Sequence, residues 1–442
     1  MASSRIGVGV VTMLLVVLVL GVGRWVIAQS PVGTDAVRPS SSEAPGPAVG
    51  FLHGQVITDD GTSYEGRLRF GGNEEALWSN YFNGAKVKNP WAEYVAEDEL
   101  PTDHRAVSFL GFELGGREVA RDLRRPFMVR FGDIVRIEAR GRELSVTLKS
   151  GTVVELDRFG ADDFADGLTL WDGLGQSVRL GEWGVRSIDF TPAGSPSAPG
   201  PMPLHGTVRT SQGEFTGLIQ WDREEALTSD VLTGRAGVVE VEVPFERIES
   251  ISRTVEGAVV VTHEGETLEL SGTRKVGDGH RGVYVDDVRY GRILVAWRAF
   301  ERVDFTRAPH PPHDYDHYAP GAPLQGTVVT QSGETVSGRL VFDLDESETT
   351  ETLDAPWGDV DFVVPFDMIA SVEAGGAVRS ADAANVTPYF VALTNGEVLQ
   401  LEPAGDLAPT NAGLLVFEPG AVDPDYVPWS EVRRIEFEAP HR

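Results

Sequence analysis

Apolar and polar residues alternate along most of the chain. The stretches TVRTSQGEFTGLIQW (207–221) and THEGETLEL (262–270) show this alternation on both sides of a glycine. A period of two with many β-branched and aromatic residues predicts β-hairpins that bury one face. Because this pattern recurs throughout and no long amphipathic helix is predicted, the predicted fold class is all-β.

A short motif with one aromatic and two aliphatic residues occurs three times at equal spacing. It reads VRFGDIVRI (129–137), VPFERIESI (243–251) and VPFDMIASV (364–372), and its polar residues change between copies. Apolar positions three residues apart do not fit a plain strand, in which side chains alternate by two. We therefore predict a short strand, one 3₁₀-like turn and a second strand, with Phe245, Ile248 and Ile251 in the core.

Three related openings divide the chain into repeated units. They are LHGQVITDDGTSYEGRLRF from Leu52, LHGTVRTSQGEFTGLIQW from Leu204 and LQGTVVTQSGETVSGRLVF from Leu324, and each follows a Pro-rich stretch. Internal similarity of this kind predicts tandem structural units. We predict three β modules of about 100 residues at 51–190, 204–305 and 324–437, the first with an insertion at about 77–128. The predicted linkers are 29–50, 191–203 and the Pro/His-rich 306–323.

The motif is also present in the second half of each module. VAWRAFERV (295–303) and VPWSEVRRI (427–435) keep its spacing, and LGEWGVRSI (180–188) has its Trp displaced by one position. A hairpin, bent strands, a one-turn 3₁₀ element and a last strand resemble the SH3-like and Sm-like small β-barrels. The resemblance implies that each module is an internally duplicated small bent barrel, in which paired halves share one core; one β-sandwich per module is the alternative. The RNA-contacting motifs of the Sm family are not found here, so RNA binding is not implied.

Acidic residues dominate the charge. There are 67 Asp and Glu against 38 Lys and Arg, which gives a net charge of −29 and a pI near 4.6. A field of this sign repels phosphate backbones and anionic lipids, so nucleic acid is excluded as the expected partner. The chain has no Cys, which excludes disulfides, thiolate metal sites and Cys nucleophiles.

The N-terminal residues predict export. Arg5 precedes the apolar run 6–23, and Val26 and Ala28 stand as the small residues of a signal-peptidase site before Gln29. The run is also just long enough to span a bilayer, so 1–28 is either a signal peptide or a retained membrane anchor. We expect an extracytoplasmic bacterial protein that is periplasmic or secreted, or anchored to the inner membrane by 6–23. The membrane would then be contacted only through this segment.

The insertion in the first module is the candidate recognition face. Extra loops on a repeated scaffold often carry recognition, and aromatic residues with Arg are common at binding surfaces. The alternative is that these aromatics enlarge the core of the module. The predicted binding residues are Trp78, Tyr81, Phe82, Trp91, Tyr94, Arg121, Arg124 and Arg125, with Arg117 nearby.

Two kinds of segment are candidates for metal binding. The spacer HPPHDYDH carries His310, His313 and His317, which could chelate Zn²⁺, Cu²⁺ or Ni²⁺. The loops WDREE (221–225) and FDLDE (342–346) could hold Ca²⁺ through their carboxylates, although solvated acidic loops are the default interpretation. We expect no cofactor other than a weakly bound divalent cation.

No local catalytic motif is present. G-x-S-x-G, H-E-x-x-H and P-loop sequences do not occur, and GDGHRG (277–282) precedes a predicted strand, where a dinucleotide fingerprint would open a helix. Gly282 has counterparts in Gly167 and Gly413, which predicts a turn with an unusual backbone. We expect a non-enzymatic binding or structural scaffold of the cell envelope whose partner is a protein or an envelope polymer. The alternative is an extracytoplasmic hydrolase, carboxylate-based or metal-assisted, with a site between modules.

Overall fold

The computed structural model describes residues 50–439 except 72–73, 79–80, 97–98, 100–101, 110–111, 121–125, 173–175, 194–201, 311, 376–377 and 380–384; for 102–109, 112–120, 162, 378–379 and 385–386 it describes the backbone alone. The predicted signal or anchor segment at 1–28 and the first linker up to residue 49 lie outside these residues. The regular secondary structure of the described part is nearly all strand, with one short α-helix and several 3₁₀ turns, so the all-β prediction is confirmed. None of its helices is long and apolar enough to cross a membrane.

Residues 51–190, the first segment, form one eight-stranded sheet and two two-stranded sheets. The elements are β1 (His53–Thr58), β2 (Ser63–Phe70), β3 (Tyr81–Ala85), β4 (Thr102–Phe109), β5 (Phe112–Ala120), β6 (Pro126–Arg130), β7 (Ile134–Arg140), β8 (Glu143–Leu148), β9 (Val153–Asp157), α1 (Asp162–Ala165), β10 (Leu168–Trp171), β11 (Ser177–Leu180) and β12 (Val185–Phe190). The sheet order is β11-β10-β2-β1-β12-β7-β8-β9, and β3 pairs with β6 and β4 with β5.

Residues 204–305, the second segment, contain ten strands. They are β13 (His205–Thr210), β14 (Gly213–Trp221), β15 (Val231–Ala236), β16 (Val239–Pro244), β17 (Ile248–Arg253), β18 (Gly257–Thr262), β19 (Thr267–Ser271), β20 (Val283–Asp287), β21 (Gly291–Val295) and β22 (Phe300–Phe305). Their order within one sheet is β16-β15-β19-β18-β17-β22-β13-β14-β20-β21.

Residues 324–437, the third segment, complete the fold. The strands are β23 (Gln325–Thr330), β24 (Thr335–Phe342), β25 (Thr352–Trp357), β26 (Val360–Pro365), β27 (Ile369–Ala374), β28 (Val378–Arg379), β29 (Asn385–Val386), β30 (Tyr389–Leu393), β31 (Val398–Leu401), β32 (Leu414–Phe417), β33 (Asp425–Val427) and β34 (Val432–Phe437). Eight of them form a sheet in the order β31-β30-β27-β34-β23-β24-β32-β33, and β28 pairs with β29. The hairpin β25–β26 joins the sheet of the second segment, because β26 pairs with β21.

The same eight-strand order is found in all three segments. The first strand of each segment, β1, β13 or β23, pairs on one side with the second strand and on the other side with the last. Each sheet mixes strands from the first and second halves of its segment. In the first segment, for example, β1 and β2 of the first half lie between β10 and β12 of the second half. An equivalent position in one segment can therefore be identified in the others by strand register.

The aromatic motif forms the turn that its spacing predicts. A strand ends, one 3₁₀ turn follows at Phe131–Asp133, Phe245–Arg247 or Phe366–Met368, and the next strand begins directly after it. Phe245 is 2% exposed, and Ile248 and Ile251 are fully buried, which confirms their assignment to the core. Deep burial of these side chains favours one conformation of the turn because any other would expose them to water.

Gly167, Gly282 and Gly413 occupy the equivalent turn before β10, β20 and β32. Their φ angles are +77°, +103° and +85°, which confirms the unusual backbone predicted for this position. A Cβ atom at Gly282 would lie 2.8 Å from the carbonyl oxygen of Val295 in the paired strand. Glycine is therefore required both by the backbone angle and by the space available.

Two large apolar clusters fill the described part of the chain. One belongs to the first segment and includes Tyr315 from the spacer, while the other is shared by the second and third segments. Smaller clusters join the segments: Trp78 and Phe51 pack on Leu227, and Val95 packs on Leu344. Both the insertion and the spacer thus contribute to packing between segments.

Candidate functional site

The loop after the second strand of each segment places a glutamate at an equivalent position. The amide groups of Phe70, Trp221 and Phe342 donate hydrogen bonds of 2.7–2.8 Å to the carbonyl oxygens of Glu74, Glu225 and Glu346. In the later two segments the loop contains consecutive residues with positive φ, namely Asp222 and Arg223, and Asp343 and Leu344. In these two segments the tight turn directs the glutamate side chain inward. The Oε2 atoms of Glu74, Glu225 and Glu346, here called the loop glutamates, are all buried.

The acidic loops are therefore not solvated, and the default interpretation from the sequence is wrong. Asp222 is fully buried, and Glu225, Asp343 and Asp345 are 5–7% exposed. In all three loop glutamates the Oε2 atom is buried and makes no hydrogen bond within the described residues. Desolvation of such oxygens disfavours the charged form, so each carboxyl group needs a cation or a proton.

The residue that faces the loop glutamate differs among the segments. It is Asp163 in the first segment, Lys275 in the second and Asp406 in the third. Each directly precedes a buried apolar residue, which is Phe164, Val276 and Leu407 in the same order. The two aspartates also make equivalent backbone contacts. Asp163 Oδ2 accepts a 2.6 Å hydrogen bond from the backbone amide of Asn83, and Asp406 Oδ2 accepts one of the same length from the backbone amide of Asp354.

In the second segment, the loop glutamate is neutralised by an ammonium group. Lys275 Nζ donates a short hydrogen bond to Glu225 Oε1. Burial raises the pKa of Glu225 to about 7, against the lowering effect of Lys275. Asp222, Glu224 and Glu225 also bring carboxylate oxygens within 4.8 Å of one another. Arg274 and Arg281 pair with Asp222 and Glu224, so this group already has its own counter-charges and leaves little need for a metal ion.

In the first segment, the loop glutamate meets a second carboxyl group. Burial, with the neighbouring Asp163 as the next cause, raises the pKa of Glu74 to about 9, and a side-chain hydrogen bond joins the two residues. Two carboxyl groups in such contact share a proton, because both cannot be ionised at close range. Arg292 from the second segment partly offsets this charge.

The third segment has the largest accumulation of carboxyl groups. They surround a cavity of about 110 Å³ at the boundary with the first segment, here called the acidic cavity. Its lining residues are Lys86, Pro126, Phe127, Met128, Asp343, Asp345, Glu346, Glu351, Thr352, Asp354 and Asp406. Burial raises the pKa of Asp354 to about 6, and burial with nearby acids raises the pKa of Glu346 and of Asp406 well above the usual range.

Lys86 brings positive charge to the acidic cavity from the first segment. Its Nζ lies 2.6 Å from Asp345 Oδ1 and 3.6 Å from Glu351 Oε1. Burial would lower the pKa of Lys86, but these two carboxylates hold it above its usual range. Six carboxyl groups therefore face one lysine, and protons or a bound cation must balance the rest. Oxygen ligands of this kind suit Ca²⁺ or Mg²⁺, and a cavity of about 110 Å³ is small for an organic substrate.

Three of the predicted binding residues are buried. Trp78 packs edge-on to Phe51 with ring centroids 5.4 Å apart, and the guanidinium of Arg292 lies 4.6 Å from the centroid of the Tyr81 ring. Phe82 is fully buried against Phe131 at 5.8 Å. These contacts match the alternative that the aromatics enlarge the core, and they leave little of the three side chains for a partner.

Trp91 and Tyr94 lie further along the insertion and pack on the third segment. Their rings contact Phe417 at centroid distances of 6.1 and 5.5 Å, and Arg339 lies 3.9 Å from the centroid of Phe417. Tyr94 is 43% exposed and remains accessible. The other predicted binding residues, Arg121, Arg124 and Arg125, lie outside the described residues, as do the side-chain contacts of Arg117.

The histidines of the spacer are at the surface. The rings of His313 and His317 stack with centroids 5.4 Å apart, and His310 is also exposed. Among the described residues, three ligand groups converge within 4.8 Å only in the carboxylates of the second segment. The metal site predicted for the histidines stays a prediction. The spacer itself is fixed, because Tyr315 Oη donates a 2.7 Å hydrogen bond to the Ile134 carbonyl oxygen.

The loops that contain Glu225 and Glu346 were named from the sequence as possible Ca²⁺ sites, but the residues that face the loop glutamates were not identified. The available signal was an aromatic residue four positions before a glutamate in each segment, FGGNE, WDREE and FDLDE. The facing residue lies 50 or more positions further along the chain, where the sequence offers no such marker. Comparison with known protein families, with curated proteins and with solved structures finds no match to this chain.

Proposed function

We propose that this chain is an exported or membrane-tethered bacterial envelope protein that acts as a non-enzymatic binding scaffold. It would be built from three tandem β modules at 51–190, 204–305 and 324–437, and the insertion would contact a protein or an envelope polymer. The shared strand order of the three segments supports the tandem organisation. The alternation of strands from both halves supports halves that share one core, as the small-barrel resemblance implies.

The non-repeated parts of the chain favour a rigid body. Lys86 of the insertion pairs with Asp345 of the third segment, and Trp91 packs on Phe417. The spacer between the second and third segments packs on the first segment. Lys149 of the first segment donates hydrogen bonds to the carbonyl oxygens of Tyr315 and Tyr318 in the spacer. Contacts of this kind between segments suit a scaffold that presents a fixed surface, because a rigid surface loses little conformational entropy on binding.

The observation that carries the proposal is the hairpin β4–β5. It forms a two-stranded sheet of its own within the insertion, with Thr102 opposite Ala120 and Phe109 opposite Phe112. Among the described strands it pairs with no other sheet, so it contributes little to the ladders that hold the segments together. A hairpin that pairs with no other described strand is well placed to contact a partner.

The test is removal of this hairpin from the full chain. Residues 101–121 are replaced by a short Gly-Ser turn, and both forms are crosslinked in the native envelope. We expect the intact chain to capture a defined partner and the shortened chain to lose it, with unchanged thermal unfolding.

A matched control is available in the third segment. The hairpin β28–β29, at 376–386, also forms a small separate sheet, and its removal should leave partner capture unchanged. Equal capture by the chain without β4–β5 would refute the recognition role of the hairpin.

A carboxylate-based or metal-assisted hydrolase is the second candidate. It is favoured by one observation: Glu346 and Asp406, both with raised pKa, line a cavity between two segments. A turnover screen on envelope polymers, with and without a chelator, would test it. Activity that is lost in Asp406→Asn while the fold is retained would establish this candidate in place of the scaffold.

A further inference from the structure

The second and third segments are joined edge to edge by two strands. β21 pairs antiparallel with β26, with Arg292 opposite Val363, Ile293 opposite Phe362, Leu294 opposite Asp361 and Val295 opposite Val360. The joint extends a ten-stranded sheet to twelve strands. It shows that a strand of the β21 type can add to a hairpin of the β26 type.

Each of the other segments contains equivalents of these two strands. The first type of strand is the neighbour of β10, β20 or β32, and its three members are β11, β21 and β33. The second type directly precedes the 3₁₀ turn of the aromatic motif, and its three members are β6, β16 and β26. Only the pair β21 and β26 is joined within the described part of the chain. Two strands of each type are thus left over.

Two of these leftover strands are covered by other parts of the chain. Tyr426 of β33 packs against the apolar cluster that contains Val95 and Leu344, so the insertion lies against this strand. Arg130 of β6 lies 5.6 Å from the centroid of Tyr318 in the spacer, and residues 126–128 line the acidic cavity. The remaining strands, β11 and β16, each pair with another strand on one side only among the described residues.

The two free edges are complementary in the register of the existing joint. The pairing of β10 with β11 makes Val178, Arg179 and Leu180 the equivalents of Ile293, Leu294 and Val295. The pairing of β15 with β16 makes Val241, Glu240 and Val239 the equivalents of Phe362, Asp361 and Val360. The same register would therefore set Arg179 opposite Glu240, between the apolar pairs Val178 with Val241 and Leu180 with Val239.

Both edges are accessible and chemically suited to each other. Arg179 and Glu240 are exposed, and Val239 is 60% exposed. Opposite charges and apolar residues directly across an antiparallel pair stabilise it, and an open edge offers unpaired backbone groups. The net negative charge of the chain makes copies repel one another in most orientations. An orientation that places Arg179 opposite Glu240 is favoured over these, so this contact gives specificity.

We propose that β11 of one copy pairs with β16 of a second copy in the register of the β21–β26 joint. The contact joins two different surfaces, so it is heterologous, and repetition produces a closed ring or an open row of copies. The chain would use the joint between its second and third segments again between molecules. This inference concerns assembly and does not depend on the partner of the β4–β5 hairpin.

The absence of native cysteine permits a direct test. Full-length Arg179→Cys and Glu240→Cys chains are mixed and oxidised, so that only contact between copies can join them. We expect a disulfide-linked heterodimer, since directly opposite residues in an antiparallel pair lie within disulfide range. The matched control is Val178→Cys mixed with Glu240→Cys, which should not crosslink because a shift of one residue places the side chains on opposite faces.

Association of the cysteine-free chain gives a second measurement. Sedimentation should show assembly that is roughly tenfold weaker for Arg179→Glu and restored when that variant is mixed with Glu240→Arg. Because both positions are exposed, folding should be unaffected, and thermal unfolding checks this. A chain that stays monomeric at about 100 μM, or a crosslink that forms equally in the control mixture, would overturn the proposal.

Discussion

Glu225 and Lys275 form an ion pair in the second segment at a place where the other two segments bring two carboxyl groups together. The backbone around this position is equivalent in all three sheets, so the difference lies in one side chain. Exchange of a lysine for an aspartate changes the charge balance by two units. The same substitution at equivalent glutamates should therefore change stability by different amounts.

Glu225→Gln should change the stability of the protein less than Glu74→Gln does. Burial raises the pKa of Glu225 to about 7 and of Glu74 to about 9, so at pH 8 removal of the carboxylate relieves a smaller cost at Glu225, where Lys275 also loses its partner. Glu74→Gln is the matched variant, and it should raise the free energy of unfolding at pH 8 because the amide needs no proton beside Asp163. Urea unfolding of both variants measures the difference, and a gain of equal size in both would contradict the assignment of facing residues.

Stability should decrease as the pH rises from about 5 to 9. Burial raises the pKa of Glu74 to about 9, of Glu225 to about 7 and of Asp286 to about 6, while in the unfolded chain these carboxyl groups titrate at their lower usual values. The folded state thus binds more protons across this range, and the stability that protonation contributes is lost as the pH passes each folded-state pKa. Thermal unfolding at several pH values should show the highest melting temperature near pH 5.

Glu74→Gln supplies the control for this pH dependence. It removes the group with the highest of these pKa values, so its stability should vary less between pH 7 and 9 than that of the unmodified chain. An unmodified chain that is more stable at pH 9 than at pH 5 would exclude the raised pKa values.

The repeated core was predictable because its signal is local and occurs in every segment. Phe245, Ile248 and Ile251 follow each other at a spacing that only a strand, a turn and a strand can bury on one side. Gly282 was predictable for the same reason, since its counterparts retain glycine at the same turn.

Contacts between distant parts of the chain could not be predicted. Trp91 and Tyr94 resemble exposed recognition residues in the sequence, and Phe417, which their rings contact, is more than 300 positions away. Phe82 was predicted as a binding residue, but the strand register aligns it with Leu232 and Leu353, which are core residues. The acidic loops were misinterpreted because solvation is the usual state of carboxylates, whereas here a tight turn directs them inward.

Lys86→Met should open the contact between the first and third segments. Lys86 is the only cation lining the acidic cavity within the described residues, and it pairs with Asp345 and Glu351. We expect a loss of about 3 kcal/mol at pH 8, and a smaller loss at pH 5, where protonation neutralises the carboxyl groups. Lys88→Met is the control, because Lys88 is exposed two residues away and should have little effect. A loss that is independent of pH would show that Lys86 acts through packing alone.

Gly282→Ala should destabilise the second segment more than the same change at another glycine with positive φ. The Cβ of alanine would lie 2.8 Å from the Val295 carbonyl oxygen and from a Leu294 methyl group, so β21 must shift away from the turn. We expect a loss of about 2–4 kcal/mol in the free energy of unfolding. Gly265→Ala has a similar backbone angle but no atom within 4 Å of the new methyl group, and it should lose about 1 kcal/mol. Because β21 carries the joint to β26, Gly282→Ala should also increase hydrogen exchange in β26, whereas Gly265→Ala should not; equal exchange in the two variants would contradict this coupling.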